Sequence, residues 1–458
     1  MKFITPIFCL FVNYLVAQEF SPPNILLINV DDLGWRDVGF MGSKYYETPH
    51  LDSLSSQGVV FTNGYAAAAN CAPSRASLMT GLWPTRHGIY TDGSSERGNK
   101  KDRRLVPVRN KKTLSSDFKV IPQVLKEYGY TTCHAGKWHL SDDPKTFDFD
   151  VNIAGSRVGH PKSYYPPYKN ITIEKGESDY LTDLITEKSI DFIIECHKPF
   201  FLYYSPYAVH LPVNPIDSLL SKYTNKRPDN GQKNPRYATM IENLDRNIGL
   251  LMKAVRGKNC FIIFTSDNGG LFGITQQKPL RAGKGSYYEG GIREPYVVVW
   301  ENKIPKNSTC EIPVSSLDIF PTILSVANIP NKLKLDGHNL LQILEKDYKT
   351  YQRSLYWHFP VYIQLNQASI SRNEFRDTLF RTRPGSVIRS ADWKLHYYFE
   401  DKSVELFNLS SDIGESHNVA EEFPDIAFKL EKKLKNWWKK TNAPLPNEIN
   451  LDFIKKLN

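Results

Sequence analysis

The chain is poor in sulfur. Six cysteines and five methionines occur among 458 residues, too few for a disulfide framework of the kind that holds small secreted folds. Cys9 lies in the apolar run at the very start, which leaves Cys71, Cys133, Cys196, Cys260 and Cys310. Beyond that run no segment is apolar for long enough to cross a membrane, and no repeat or low-complexity linker occurs. Neither sign of charge dominates: 58 Lys and Arg against 49 Asp and Glu leave a net +9. That excess suits an anionic partner but does not bear on fold. With 41% hydrophobic and 23% charged residues, the composition excludes a disordered or fibrous chain.

The start, MKFITPIFCLFVNYLVAQEF, has Lys2, an apolar run from Ile4 to Val16 and a small residue at Ala17. It reads as a signal peptide over residues 1–17, so the mature chain is expected to be exported, periplasmic or secreted. An odd number of cysteines in such a chain means that at least one is unpaired or altered. Cys133, Cys196 and Cys260 sit in apolar stretches and are expected to be buried small hydrophobes.

Several apolar runs end in polar clusters. Asn24 to Val30 leads into Asp31 and Asp32, Phe200 to Tyr204 leads to His210, and Cys260 to Phe264 leads to Asp267 and Asn268. Runs of this kind read as strands covered on both faces of a parallel sheet. Between them, Tyr237, Met240, Ile241, Leu244, Ile248, Leu251, Met252 and Val255 recur at helical spacing and stop before Gly257. The alternation predicts an α/β core over residues 18–345, with its ligand site beyond the carboxyl ends of the strands. After the helix-like Leu340 to Leu344, short strands with tight turns (SVIRS, WKLHYYF, VELFNL) and a basic amphipathic helix from Phe423 to Lys440 predict a smaller antiparallel subdomain over 346–458.

Asp31-Asp32 and Asp267-Asn268 are hard oxygen donors, suited to Ca²⁺ or Mg²⁺ when brought together at adjacent strand ends. No His is interleaved with them, which favours calcium over zinc. Either pair alone is also an ordinary cap or turn. In GYTTCHAGKWHL, Lys137 and His139 flank Trp138, and an extended segment puts both on one side, fit to grip an oxyanion and move protons. The other reading is a solvent-facing edge. His210 and Lys284 add a base and a cation. Export and the acidic cluster both oppose a nucleic-acid partner.

In NCAPSRASLMTG, the residues Cys71, Pro73, Ser74, Arg75, Leu78, Thr80 and Gly81 match the pattern CxPSRxxLxTG, and Gly129 to His139 matches a second signature of the same family. On these motifs the chain resembles the formylglycine-dependent (type I) sulfatases, and is most similar to secreted bacterial polysaccharide sulfatases. DDLGW, SDNGG, EGGIREP and LFNLSSDIGE extend the likeness over nearly the whole mature chain. One departure is Glu294 of EGGIREP, where the family commonly carries a small apolar residue; little effect is expected.

The resemblance implies an alkaline-phosphatase-like fold, with a large, mixed, mainly parallel sheet between helices. It implies that a separate maturation enzyme oxidises Cys71 to formylglycine (3-oxoalanine). It implies one Ca²⁺ per chain, Mg²⁺ being the second choice, held by Asp31, Asp32, Asp267, Asn268 and the side chain at position 71. Arg75 would hold the formylglycine oxygens, and Lys137 and Lys284 would neutralise the sulfate. His210 would protonate the leaving oxygen, and His139 would take a diol proton so that sulfate is expelled by elimination. Arg383, in RTRPGSVIRSADWK, resembles a stretch that reaches toward the substrate.

The substrate implied is a sulfated polysaccharide or its oligosaccharides, a marine galactan or ulvan before a glycosaminoglycan. The basic stretch from Glu96 to Lys112 and the pairs Tyr164-Tyr165, Tyr356-Trp357 and Tyr397-Tyr398 are candidates for holding it. A phosphate or phosphonate ester hydrolase of the same superfamily and an inactive carbohydrate-binding relative are the rival readings.

Overall fold

A computed structural model describes residues 21–346, 351–365 and 374–457; the leader assigned to 1–17 lies outside them. Its centre is the strand Asn24–Val30, buried from Ile25 onward. Because side chains alternate across a strand, Leu26, Ile28 and Val30 feed one core while Ile25 and Leu27 feed another. This is why the run reads as continuously apolar.

Eight strands form the main sheet, in the order Val151–Ile153, Thr131–Gly136, Phe200–Ser205, Asn24–Val30, Cys260–Ser266, Val297–Trp300, Val59–Phe61, Ser308–Cys310. The first five run parallel. Val297–Trp300 is antiparallel to both of its neighbours, and the outer two are parallel to each other. One core packs the sheet against Leu181–Glu195 and Pro235–Ala254, the other against Cys71–Thr80, Ile121–Glu127 and Ile319–Val326.

The helix predicted from Tyr237 begins two residues earlier. Pro235 takes the first helical position and the Asn234 side chain accepts the Tyr237 N–H at 3.2 Å, so the cap sets the boundary. Met240, Ile241, Leu244, Ile248 and Leu251 are all buried, each contributing on the order of 1.5–3 kcal/mol by leaving water.

The C-terminal sheet is antiparallel, in the order Ser354–Phe359, Gly385–Ser390, Trp393–Tyr398, Val404–Asn408. The helix Pro424–Thr441 covers it with Leu430, Leu434, Trp437 and Trp438. This packing changes the reading of the aromatic pairs. Tyr356 stacks on Trp437, Trp357 is buried, Tyr397 meets Trp438 and Tyr398 lies under Arg376. Tyr164 is likewise buried, and its hydroxyl donates to the Tyr207 and His210 carbonyls. These aromatics build cores and loops; of the six only Tyr165 is exposed.

Cys133 and Cys260 are buried as expected. Cys196 is not: it follows the helix Leu181–Glu195 and stays half-exposed, its Sγ 3.3 Å from the Lys198 carbonyl. The described cysteines are all unpaired. Among the described residues no helix is long and apolar enough to cross a membrane.

Candidate active site

Four of the parallel strands deliver the site. Asp31 and Asp32 follow Val30, Lys137 follows Gly136, Asp267 and Asn268 follow Ser266, and His210 lies beyond Ser205. The strands are neighbours running the same way, so all of these residues meet at one edge of the sheet. Cys71 arrives from the side, as the first residue of the helix Cys71–Thr80, whose N-cap Asn70 is extended. That position gives it the positive end of the helix dipole.

Ligand atoms of Asp31, Asp32, Cys71 and Asp267 all lie within 4.8 Å of one another, and all four residues are buried. The Asn268 amide nitrogen donates to Asp32 Oδ1 at 2.8 Å, while its Oδ1 is buried with no hydrogen-bond partner among the described residues. Three carboxylates and an orphaned amide oxygen are the donor set of a hard divalent cation. A bare cluster of this density is costly, and the residues present fit such an ion.

Cations surround the cluster. Lys137 Nζ contacts both Asp31 oxygens at 2.9 and 2.8 Å, and Lys284 Nζ contacts Asp32 Oδ2 at 2.8 Å. Arg75, one helical turn after Cys71, gives Nε to Asp267 at 2.7 Å and Nη1 to the Lys137 carbonyl at 2.8 Å and to Ser205. Its Nη2 is buried without a hydrogen bond, 3.7 Å from Asp31 Oδ1.

The electrostatics divide the two leading carboxylates. Burial pushes Asp31 up to about 7 against the pull of Lys137. Burial acts on Asp32 as well, but Lys284, His210 and Lys137 hold it well below the usual range. The Cys71 thiol is pushed far up by burial, with Lys137 and Lys284 opposing. An unmodified Cys71 is therefore no thiolate nucleophile here.

His139 takes a left-handed backbone, φ 67°, so the extended geometry expected of Lys137 to His139 ends with the strand at Gly136. Both side chains still reach the site. His139 shares a group within 4.8 Å with Cys71 and Asp92, and its Nδ1 is buried and unpartnered. Burial, then Lys137, push its pKa down to about 3, Asp92 opposing, so it rests as a neutral imidazole. His210 Nδ1 donates to the Leu211 carbonyl at 2.9 Å, which leaves Nε2, 3.5 Å from Asp32 Oδ2, as the atom that can carry a mobile proton. Its pKa is also driven down to about 3 by burial, with Lys284 adding.

Arg383 is not brought to this cluster as a substrate arginine. Its guanidinium is taken up by Asp377 and by Glu400, at 2.9 Å, and lies over the Phe380 ring. Three residues not anticipated do join the site. Asp92 accepts the Ala72 N–H at 2.9 Å beside Cys71, His160 stacks on His210 at 5.3 Å, and Arg381 reaches the Lys284 carbonyl at 3.4 Å. Asp92 sits in the turn-like TDGSS and His160 in a loop, where neither periodicity nor spacing singles them out.

Buried carboxylates for a hard cation, two lysines against them and two histidines beside a helix-capped residue make a site for hydrolysing anionic esters. Residues 23–329 match the family model described as Sulfatase, and residues 283–440 match that of the N-sulphoglucosamine sulphohydrolase C-terminal region. The chain belongs to the sulfatase family and is a sulfuric ester hydrolase.

It is 32% identical over 511 residues to a sulfatase of Formosa agariphila, covering 92% of this chain and 90% of that one. It is 31% identical to human N-acetylgalactosamine-6-sulfatase, covering 71% of this chain and 66% of the human protein. Among solved structures, Ps i-CgsB in complex with k-i-k-neocarrahexaose matches with a TM-score of 0.75 at 28% identity, over 94% of this chain and 95% of that one. The phosphonate monoester hydrolase of Agrobacterium radiobacter, at 19% identity and a TM-score of 0.67, shares the fold. That fold is alkaline-phosphatase-like.

Proposed function

We propose that the protein is an exported carbohydrate sulfatase that removes sulfate esters from a sulfated polysaccharide or its oligosaccharides. A marine galactan or ulvan stands first as substrate and a glycosaminoglycan second. We propose further that a maturation enzyme converts Cys71 to formylglycine and that the acidic cluster holds one Ca²⁺. The carrying observation is the convergence of Cys71 with Asp31, Asp32 and Asp267 inside 4.8 Å, ringed by Lys137, Lys284, His139 and His210. The oligosaccharide in the Ps i-CgsB complex and the sulfated sugar named for the human relative support a carbohydrate substrate.

Asp31, Asp32, Asp267 and Asn268 would hold the cation, which supplies a Lewis acid, while formylglycine supplies an aldehyde whose hydrate is the nucleophile. The chain's own groups then divide the work. Lys284 and Lys137 neutralise the sulfate oxygens where charge must be managed. Arg75 is a positioning residue: it pins Asp267 and the Lys137 carbonyl and turns Nη2 toward Asp31. His210 offers Nε2 to the leaving oxygen; an arriving sulfate offsets the nearby lysines and raises the proton affinity of that nitrogen. His139, neutral and backed by Asp92, takes a proton from the side chain at position 71, the base step that releases sulfate.

Two measurements test this. Peptide mass spectrometry over Cys71, after co-expression with a formylglycine-generating enzyme, is expected to show loss of the thiol sulfur. Desulfation assays on a panel of galactans, ulvan and glycosaminoglycans are expected to show release of inorganic sulfate from a carbohydrate. Activity with the sulfur retained sinks the formylglycine reading, and activity confined to aryl sulfates sinks the substrate reading.

A further inference from the structure

Three arginines around the C-terminal side of the site are matched to acids. Arg376 pairs with Asp401 at 2.6 Å, Arg383 with Glu400 at 2.9 Å and Arg103 with Glu96 at 3.4 Å. Arg281 and Arg389 form no such pair but are taken up by the Glu374 and Glu415 carbonyls and by Asn63 and Tyr65. Among the described residues, Arg381 and Arg97 also have no carboxylate ion pair, and each makes a hydrogen bond to one backbone carbonyl.

These last two guanidiniums stand at the catalytic cluster. Arg381 belongs to the strand Phe380–Thr382, paired with Ile363–Gln364. Its stem lies flat over Gly285, φ +84°, where an added Cβ would come within 3.1 Å of Arg381 Cδ. This close approach lets Nη1 reach the carbonyl of Lys284, the residue whose Nζ contacts Cys71 and Asp32. Arg97 precedes Gly98, where an added Cβ would come within 2.7 Å of the ring of Phe380, the chain neighbour of Arg381. It donates to the Asp92 carbonyl, and the Asp92 carboxylate stands with Cys71 and His139.

Burial depresses the Arg381 pKa, Asp32 opposes that, and Arg97 adds to it. Two like charges that feel each other, neither of them in an ion pair among the described residues, are held by the scaffold at a cost. A planar guanidinium with open donors is suited to a bidentate oxyanion.

Building on the sulfatase reading, we propose that Arg381, with Arg97 beside it, forms a second anion subsite next to the catalytic one. The preferred substrate then carries, besides the ester that is cleaved, another anionic group on the same or the adjoining sugar. Sulfate and carboxylate share the required chemistry.

The test compares three disaccharides: one with a single sulfate, one with a second sulfate, and one with a uronate carboxylate in place of the second sulfate. The matured enzyme is expected to favour one or both doubly anionic compounds by about 10-fold or more in kcat/KM. Which one it favours names the source of the anion. Arg381→Ala is expected to bring that ratio close to one, mainly through KM, and Arg381→Lys to restore part of it. A wild-type ratio near one, or an equal proportional loss on all three, overturns the proposal. Calorimetric titration of Cys71→Ala and of Cys71→Ala/Arg381→Ala with the same compounds gives the answer without turnover. Tighter binding of a doubly anionic compound that vanishes in the double variant upholds the subsite even if no ester is hydrolysed. Equal binding of all three by Cys71→Ala rejects it.

Discussion

Lys284 Nζ lies 3.2 Å from Cys71 Sγ, the shortest approach that any cation makes to that sulfur among the hydrogen bonds and ion pairs described. The same nitrogen contacts Asp32, so one ammonium spans the acidic cluster and the position where the nucleophile is built. On the proposed function, a cation that satisfies the cluster would leave Lys284 facing the incoming sulfate.

Lys284→Ala is therefore expected to lower kcat/KM by about 10²–10³ in the matured enzyme, the scale on which a single aligned donor acts on developing charge. Lys284→Arg is expected to recover little, because a guanidinium is wider and differently aimed. Steady-state kinetics, with thermal unfolding to confirm an intact fold, checks this. A loss smaller than tenfold would remove Lys284 from the chemistry.

Chelation gives an independent test. Among the described residues Asn268 Oδ1 has no donor, and Asp31, Asp32 and Asp267 crowd one point, so stripping a bound ion uncovers mutual repulsion. Dialysis against EDTA is expected to reduce activity at least about 100-fold and to lower Tm by several degrees, since an ion that binds only the folded state stabilises it. Ca²⁺ is expected to restore both. Full activity with less than about a tenth of an equivalent of metal would sink the cation reading.

Sequence reveals what lies at strand ends and conceals what depends on packing. Asp31, Asp32, Asp267 and Asn268 were legible because an apolar run that stops in hard donors carries its own signal, and Cys71 and Arg75 because a motif fixes them. Arg381 and Arg383 stand in one stretch, two residues apart, and nothing local distinguishes them; Asp377 and Glu400 decide by consuming Arg383. Asp92 matters only once the chain returns its carboxylate to the Ala72 N–H. The strand Ser354–Phe359 was hidden for a similar reason, since Tyr356 and Trp357 read as sugar-stacking until Trp437 and the helix Pro424–Thr441 cover them.

Glu289 joins the catalytic part of the chain to the C-terminal sheet. It is buried and accepts Lys394 Nζ at 2.8 Å, Arg293 Nε at 2.7 Å and the Tyr65 hydroxyl at 2.7 Å. Burial alone would raise its pKa, but Lys394 and Arg293 hold it far below the carboxylate range. A depressed carboxylate contributes stability that is present above the unfolded value near 4.3 and is lost as pH falls through the folded value. Glu289→Gln is expected to destabilise by about 3 kcal/mol at pH 7, the cost of stranding buried cations, and by progressively less below about pH 4. Denaturant unfolding at both pH values reads the difference; an equal loss at each would show that charge is not the cause.

Glu294, in the same EGGIREP stretch, has the opposite sign. It is buried like Glu289, yet among the described residues both of its oxygens lack a hydrogen-bond partner. Burial first, then the carboxylates of Asp267, Asp37 and Asp32, drive its pKa well above the usual range. The expectation that this departure from the family matters little thus meets an unpaired acid in the core. A carboxyl whose folded pKa is raised favours folding only while the unfolded chain is also protonated, below about 4.3, and that contribution is lost as pH rises toward the folded value. Replacing it by the small apolar residue common in the family removes both the desolvation cost and the repulsion. Glu294→Val or Glu294→Ala is therefore expected to stabilise the protein by about 1–3 kcal/mol at pH 7, with the gain shrinking toward pH 4. Thermal unfolding across that range checks both sign and slope. Destabilisation by both variants at pH 7 would mean that the carboxyl has a partner, such as a buried water or cation, and that its burial is compensated.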